Sequence, residues 1–209
     1  MSKEARAVLL EERAAMCDTF EKFGADAPTL CEGWNSLDLA AHLVAREARS
    51  DAAVGLVVPF LAGHLQRVMD KYKAKGFDPL VAMLRTGPPW MHRTGPLATA
   101  NVNENFVHHE DVRRPAGEPP RVLEPDMDRI LWKMLGFGMG KKSVPGVALT
   151  LRTPEGREKV VTKEGAPLTM IGATGELILY LSGRKSAAEV RFEGPDDAVA
   201  IVQRAKFGV

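Results

Sequence analysis

The chain has 209 residues, enough for one large domain or two small ones and for a substantial hydrophobic core. Its 28 Lys and Arg against 27 Asp and Glu leave a net charge of +1, which gives no electrostatic reason to expect a nucleic-acid or membrane partner. Hydrophobic residues make up 45%, ordinary for a soluble globular protein, and the most apolar run, Ala52 to Ala62, is too short to span a bilayer and contains Pro59.

The opening Met1-Ser2-Lys3-Glu4-Ala5-Arg6 carries no signal pattern, and Cys17 and Cys31 are too few for a disulfide scaffold. A cytoplasmic protein with two free, buried thiols is expected. Residues 3–23 read as an amphipathic helix with Leu9, Met16, Phe20 and Phe23 at helical spacing and Gly24 as its stop. After a turn-rich loop ending in Trp34, Asn35 or Ser36 can cap a second helix over 36–49. That helix places Leu39, His42, Leu43 and Arg46 on one stripe, so His42 faces inward, as a hydrogen-bonded core residue or as a ligand. A helical stripe follows in 51–75, then a short helix over 78–84 with Pro79 at its first position. Gly87-Pro88-Pro89-Trp90 breaks the pattern before a helix over 97–112, and Pro115, Gly117, Pro119 and Pro120 form a linker that no helix crosses. A helix over 125–137 completes the first part.

Beyond Lys141 the period changes. Residues 147–151 and 158–162 read as a hairpin about the turn Thr153-Pro154-Glu155-Gly156, and 167–171 as a third strand. An apolar helix runs from Thr174 to the stop at Gly183, 188–193 alternates again, and Pro195 opens a last helix to about Phe207. The expected organisation is a helical bundle over 1–141 and a small α+β domain over 142–209.

Chemistry concentrates in Asn101 to Arg114. Glu104 and His108 lie one helical turn apart on one face, and a carboxylate with an imidazole presented in that way forms half of a divalent-metal site. Asp111 follows on nearly the same face, whereas His109 points about 100° away. His42 from the second helix would complete a His₂Glu set with a coordination position left for water or substrate. Mixed N/O ligation suits Zn2+ best, with Ni2+, Mn2+ or Fe2+ as alternatives. The competing reading is a solvated Glu104, a surface His108 and an Asp111–Arg114 surface ion pair. His64 and His92 have no partner at ligand spacing and are taken as ordinary residues.

The segment Thr29-Leu30-Cys31-Glu32-Gly33-Trp34-Asn35-Ser36-Leu37-Asp38-Leu39-Ala40-Ala41-His42-Leu43 resembles the T-x-C-x-G-W-x-x-x-D-x-x-x-H-L segment of the mycothiol-dependent maleylpyruvate isomerase family, in the DinB-like metal-binding superfamily. The run Asn-x-x-Glu-x-x-x-His-x-x-Asp-x-x-Arg at 101–114 resembles that family's second metal-binding helix, in the wording of an actinobacterial subgroup of unassigned function. Leu151-Arg152-Thr153-Pro154-Glu155-Gly156 and the later run from Gly172 to Arg184 are similar to the family's C-terminal domain, which is related to sterol-carrier proteins. The 87–97 stretch and the doubled His108-His109 have no counterpart in the isomerase pattern.

The resemblance implies a DinB-like antiparallel four-helix bundle followed by a sterol-carrier-like α+β domain. It places His42, Glu104 and His108 on three zinc-ligand positions and implies mycothiol as a cosubstrate delivered as thiolate. Asp111 is either a support that fixes the His108 tautomer or a plain surface charge. Arg184, then Arg113 and Arg114, are the candidates to clamp a carboxylate of the substrate or thiol, or else they form ordinary salt bridges. Three functions follow: a metal- and thiol-dependent isomerase or S-transferase acting on a small organic substrate, a non-catalytic metal-binding or stress protein, and a small-ligand carrier with a structural metal.

Overall fold

The computed structural model describes residues 3–48, 62–87, 96–136 and 144–208. Five helices come first: α1 (Lys3–Phe23), α2 (Ser36–Ala48), α3 (Ala62–Lys73), α4 (Phe77–Thr86) and α5 (Pro96–Arg113). In α1 the stripe of Leu9, Met16 and Phe20 is buried, and Gly24 ends the helix at φ +81°, a conformation that costs glycine little. The start of α2 is fixed by a reciprocal pair. Asn35 Oδ1 accepts from the Asp38 backbone N–H at 3.0 Å, and Asp38 Oδ2 accepts from the Asn35 N–H at 3.1 Å. Two otherwise orphaned donors are thereby satisfied, and the register of every α2 side chain is set.

Met16, Cys17 and Phe20 of α1 pack with Leu39, Leu43 and Val44 of α2, Leu80 and Leu84 of α4, and Val112 of α5. Beside this core, Arg13 Nη1 donates to Glu47 Oε1 at 2.6 Å and Nη2 to Oε2, a buried bidentate pair joining α1 to α2. The fourth helix starts at Phe77 after Gly76, so Pro79 sits within the first turn rather than at the first position. Pro is tolerated there because those N–H groups have no intrahelical acceptor. The expected stripe in 51–61, His92 and most of the 87–97 stretch lie outside the described residues.

The second unit contains α6 (Pro125–Met134), β1 (Val147–Arg152), β2 (Glu158–Val160), β3 (Ala166–Ile171), α7 (Thr174–Leu181), β4 (Arg191–Glu193) and α8 (Asp196–Arg204). The strands order as β2-β1-β3-β4, with β1 antiparallel to β2, parallel to β3, and β3 antiparallel to β4. The expected hairpin is therefore present, with Thr150 opposite Val160. The return from β2 to β3 is tight: a Cβ on Gly165, at φ +113°, would meet the Gly146 backbone at 2.0 Å. Thr162 stabilises the same crossing by donating to Val147 O at 2.7 Å and accepting from Leu149 N at 2.9 Å. Strand β4 and helix α8 are shorter than their sequence patterns.

The compact units are Met1–Pro119 and Pro120–Val209. The division falls before the boundary expected at 141/142, because α6 packs on α7. The break thus coincides with Pro119-Pro120, where neither residue has a backbone N–H to continue a helix. Among the described residues, no helix is long and apolar enough to cross a membrane.

Candidate metal centre

Helix α5 is unusual in that most of its polar side chains are inside. Asn101, Asn105, His108, His109, Glu110 and Asp111 are all buried, beside Val102, Phe106, Val107 and Val112. A solvated Glu104–His108 face is therefore not what forms: His108 is 8% exposed and Asp111 fully buried. The expected i, i+4 pairing does form, with His108 Nε2 3.2 Å from Glu104 Oε1. The other ring nitrogen, Nδ1, lies 2.8 Å from Asp111 Oδ2. Both contacts follow from helical geometry, since residues at −4 and +3 share the side of the helix that His108 occupies.

From α2, His42 approaches the same place. Its ring centroid is 5.5 Å from that of His108, with the rings inclined at 67°, and Trp34 covers it at 5.1 Å between centroids. His42 is 3% exposed, as its place on the apolar stripe requires. One donor atom each from His42, Glu104 and His108 falls within 4.8 Å of the others. Two imidazole nitrogens and a carboxylate oxygen so placed are a donor set that could hold a divalent metal ion. Glu104 is the most accessible of the three, with 31% of its side chain exposed.

Arg46, one turn after His42, brings its Nε to 3.4 Å from Glu104 Oε1 and donates from Nη2 to Asn101 Oδ1 at 3.2 Å. Burial would push the Glu104 carboxyl up, but the hydrogen bond and charge of His108, with Arg46 and His42 behind them, outweigh it and hold the group at about 2. For His108, burial opposes the proton, yet hydrogen bonds with Asp111, Cys31 and Glu104 and the Glu104 charge raise it well above its ordinary value.

The loop before α2 brings a thiol, Cys31, to the same place. Cys31 is half-buried, and its Sγ–H donates to Asp111 Oδ2 at 3.2 Å. The loop is held there by the Leu30 N–H donating to Asp111 O at 2.9 Å and by Thr29 Oγ1, which donates to Trp34 O at 2.8 Å. Cys31, His108 and Asp111 form a second group of potential ligands within the same 4.8 Å limit. Cys17 matches the buried-thiol expectation: its Sγ contacts Val81 O, and burial pushes the thiol up to about 11.

The remaining titratable groups of α5 find partners elsewhere. His109 turns to α1, with Nδ1 2.8 Å from Glu12 Oε1 and Nε2 2.7 Å from Thr19 Oγ1. The supposed Asp111–Arg114 surface pair is replaced by a buried arrangement in which Arg113 Nη1 and Arg114 Nε donate to Glu110 at 2.8 and 2.5 Å. Asp111 points inward to His108, so the charge near Arg114 comes from Glu110. In the second unit, half-buried Arg184 follows α7 and donates from Nη1 to Ser182 O at 2.6 Å. The side chain of His64 lies outside the described set.

No family model matches the chain, and no curated protein matches it. Two solved structures do. The crystal structure of the mycothiol-dependent maleylpyruvate isomerase superposes with a TM-score of 0.57 at 18% identity, covering 93% of this chain and 95% of that one. The chain shares that fold. A histidine-to-alanine mutant of the isomerase matches at a TM-score of 0.56 and 17% identity, with the same coverage. The shared architecture is a helical N-terminal region followed by a four-stranded mixed sheet with helices. At this identity the likeness concerns the fold.

Proposed function

We propose that this protein binds a divalent metal, Zn2+ foremost, through His42, Glu104 and His108, and that it is a mycothiol- or other low-molecular-weight-thiol-dependent enzyme of isomerase or S-transferase type. The observation that carries the reading is the convergence of His42 from α2 with Glu104 and His108 from α5, which brings three potential donor atoms within 4.8 Å of one another. The finer fold reading that goes with it is a DinB-like four-helix bundle and a sterol-carrier-like second domain. The structural likeness to a mycothiol-dependent isomerase supports the choice of reaction class.

A divalent ion bound there would lower the pKa of a coordinated thiol, so that it is available as thiolate near neutral pH. The chain's own residues do the rest. Asp111 accepts from His108 Nδ1 and holds the Nε2 lone pair toward Glu104 and His42 once the ring is singly protonated. His108, and to a lesser extent Arg46 with its Nε 3.4 Å from Glu104 Oε1, keep that carboxylate ionised. Trp34 shields the His42 ring from water on one side, and the exposed part of Glu104 leaves a way in for a small molecule. Arg184, with Arg113 and Arg114 next, is proposed to bind a carboxylate of the substrate or thiol, because a guanidinium matches a carboxylate bidentately.

The test is metal content and Zn2+ affinity of the purified protein and of His42→Ala, followed by calorimetric titration of mycothiol into the zinc-loaded protein. Stoichiometric zinc lost in the variant, with zinc-dependent thiol binding, is expected. Equal, negligible metal in both proteins would refute the metal site. Zinc binding without thiol binding at millimolar concentration would leave the sequestration or carrier function.

A further inference from the structure

The two groups of potential ligands share His108, and different carboxylates face its two ring nitrogens. His108 Nε2 faces Glu104 and belongs with His42, whereas Nδ1 faces Asp111 and belongs with Cys31. A neutral imidazole has one lone pair and one N–H, on opposite sides of the ring. An ion held through Nε2 leaves the proton on Nδ1, bonded to Asp111. An ion held through Nδ1 leaves the proton on Nε2, bonded to Glu104. Each arrangement satisfies the unused nitrogen with a carboxylate that is already in hydrogen-bond range.

We propose that Cys31, His108 Nδ1 and Asp111 form a second metal site, selective for thiophilic divalent ions such as Cd2+, and that it is mutually exclusive with the His42–Glu104–His108 site because the two share the His108 ring. The donor chemistry separates them: one set has two imidazoles and a carboxylate, the other a thiolate, an imidazole and a carboxylate. Soft ions prefer the sulfur set. Binding there forms S–metal, N–metal and O–metal bonds and releases the Cys31 S–H proton and the His108 Nδ1 proton to solvent, with no change of oxidation state.

Three features of the structure make the second site a built one. The Leu30 N–H to Asp111 O bond and the Thr29 bonds fix the Cys31 loop against the end of α5, so the sulfur is positioned before any ion arrives. Cys31 is half-buried, which gives an ion access. The remaining cysteine, Cys17, is fully buried against Val81 O in the apolar core. An ion bound to sulfur is therefore assigned to Cys31.

The inference is independent of the proposed enzymatic function and is tested on the full chain with metal ions alone. Cd2+ titration, followed by the thiolate-to-cadmium charge-transfer band in the ultraviolet, is expected to saturate at one ion per chain. Cys31→Ser should abolish the band and weaken Cd2+ by tenfold or more, while Zn2+ affinity changes by less than about threefold, since loss of a ligand outweighs loss of an outer partner. His42→Ala should lose Zn2+ and keep the cadmium band, which separates this site from the first. Excess Zn2+ should suppress the band in the wild type competitively. Absence of the band in the wild type, its persistence in Cys31→Ser, or native mass spectra showing Zn2+ and Cd2+ bound together at full occupancy would each overturn the proposal. Asp111→Asn provides a check if Cys31→Ser proves unstable: it should weaken Cd2+ binding, and an unchanged affinity would count against the site.

Discussion

Metal binding should expel a proton from His108, and the amount can be worked from the structure. The ring lies between two carboxylates, 2.8 Å from Asp111 and 3.2 Å from Glu104. Ionised carboxylates only accept hydrogen bonds, so an imidazole can donate to both only as the imidazolium. The metal-free protein therefore holds His108 protonated at neutral pH, in keeping with the upward displacement of its pKa. An ion needs the Nε2 lone pair and must displace that proton, whereas Glu104, held at about 2, is already ionised. One proton per Zn2+ is expected at pH 7, and below the metal-free pKa of His108 the affinity should rise about tenfold, or ~1.4 kcal/mol, per pH unit. Calorimetry in several non-chelating buffers of different ionisation enthalpy reads the proton count directly.

Asp111→Asn sharpens the test. It removes one of the two charges that hold the imidazolium, so the released fraction at pH 7 should fall clearly below one proton and the affinity should flatten with pH. Loss of the carboxylate behind the ring should also weaken zinc by roughly 10–100-fold. The folded-state pKa of His108 is raised, so its contribution to the stability of the metal-free protein is complete below the unfolded value of about 6.5 and is lost as pH rises through the folded value. Saturating Zn2+ should remove that alkaline loss. Zero proton release by the wild type at pH 7, or identical release by Asp111→Asn, would refute the two-carboxylate account.

Glu104 gives the opposite sign. Its carboxyl is depressed from 4.5 to about 2, so metal-free stability is present above about pH 4.5 and declines as pH falls toward 2. With 31% of the side chain exposed, screening reduces the effect to about 1–2 kcal/mol; Glu104→Gln should flatten that limb in urea melts across pH 2–6, and an unchanged limb would refute the assignment. Glu110→Gln leaves Arg113 and Arg114 without the buried charge they share, and should cost about 2–3 kcal/mol, short of the full penalty because both guanidiniums reach solvent; a loss under about 0.5 kcal/mol in denaturant unfolding would show that the triad is not coupled. Glu12→Gln weakens the tie of His109 to α1 and should lower stability by about 1 kcal/mol while leaving Zn2+ affinity within about threefold; a large loss of zinc would show that His109 helps to orient the site.

Helical spacing was enough to read Glu104 and His108 as neighbours and to turn His109 away, because both follow from 100° per residue within one helix. The inward face of His42 was legible for the same reason, from the stripe of Leu39 and Leu43. Contacts across the fold were not. Cys31 reaches Asp111 only because the 25–34 loop folds back on the end of α5, through a backbone bond from Leu30 that no side-chain pattern encodes. Arg46 was on the stripe with His42, one turn on, and that spacing was the available signal for its contact with Glu104. In the second unit the hairpin was legible from alternation and the Pro-Glu-Gly turn. The parallel pairing of β1 with β3 was not, since register between non-adjacent strands depends on the tight crossing at Gly165. The apolar face of α6 suits a bundle or a sheet-bearing unit equally well, so its periodicity does not assign it to either unit.

The composition of α5 argues for function independently of any one contact. A bundle needs an apolar stripe on such a helix, and burying Glu110, Asp111, His108 and His109 carries a desolvation cost that well-packed hydrophobic residues would avoid. Asn105 adds to that cost, since it is 1% exposed and neither atom of its amide has a hydrogen-bond partner among the described residues. Part of the polar content is accounted for internally: Glu110 by two arginines, His109 by Glu12 and Thr19. What the fold's stability does not require is the group facing α2, where His42, Glu104, His108, Asp111 and Cys31 converge around one imidazole. Two carboxylates and a thiol around an imidazolium stabilise a charge that an apolar residue at 108 would not create. Their common property is that each can take part in holding a cation in place of the imidazolium proton, and that exchange is what the calorimetric and cadmium experiments measure.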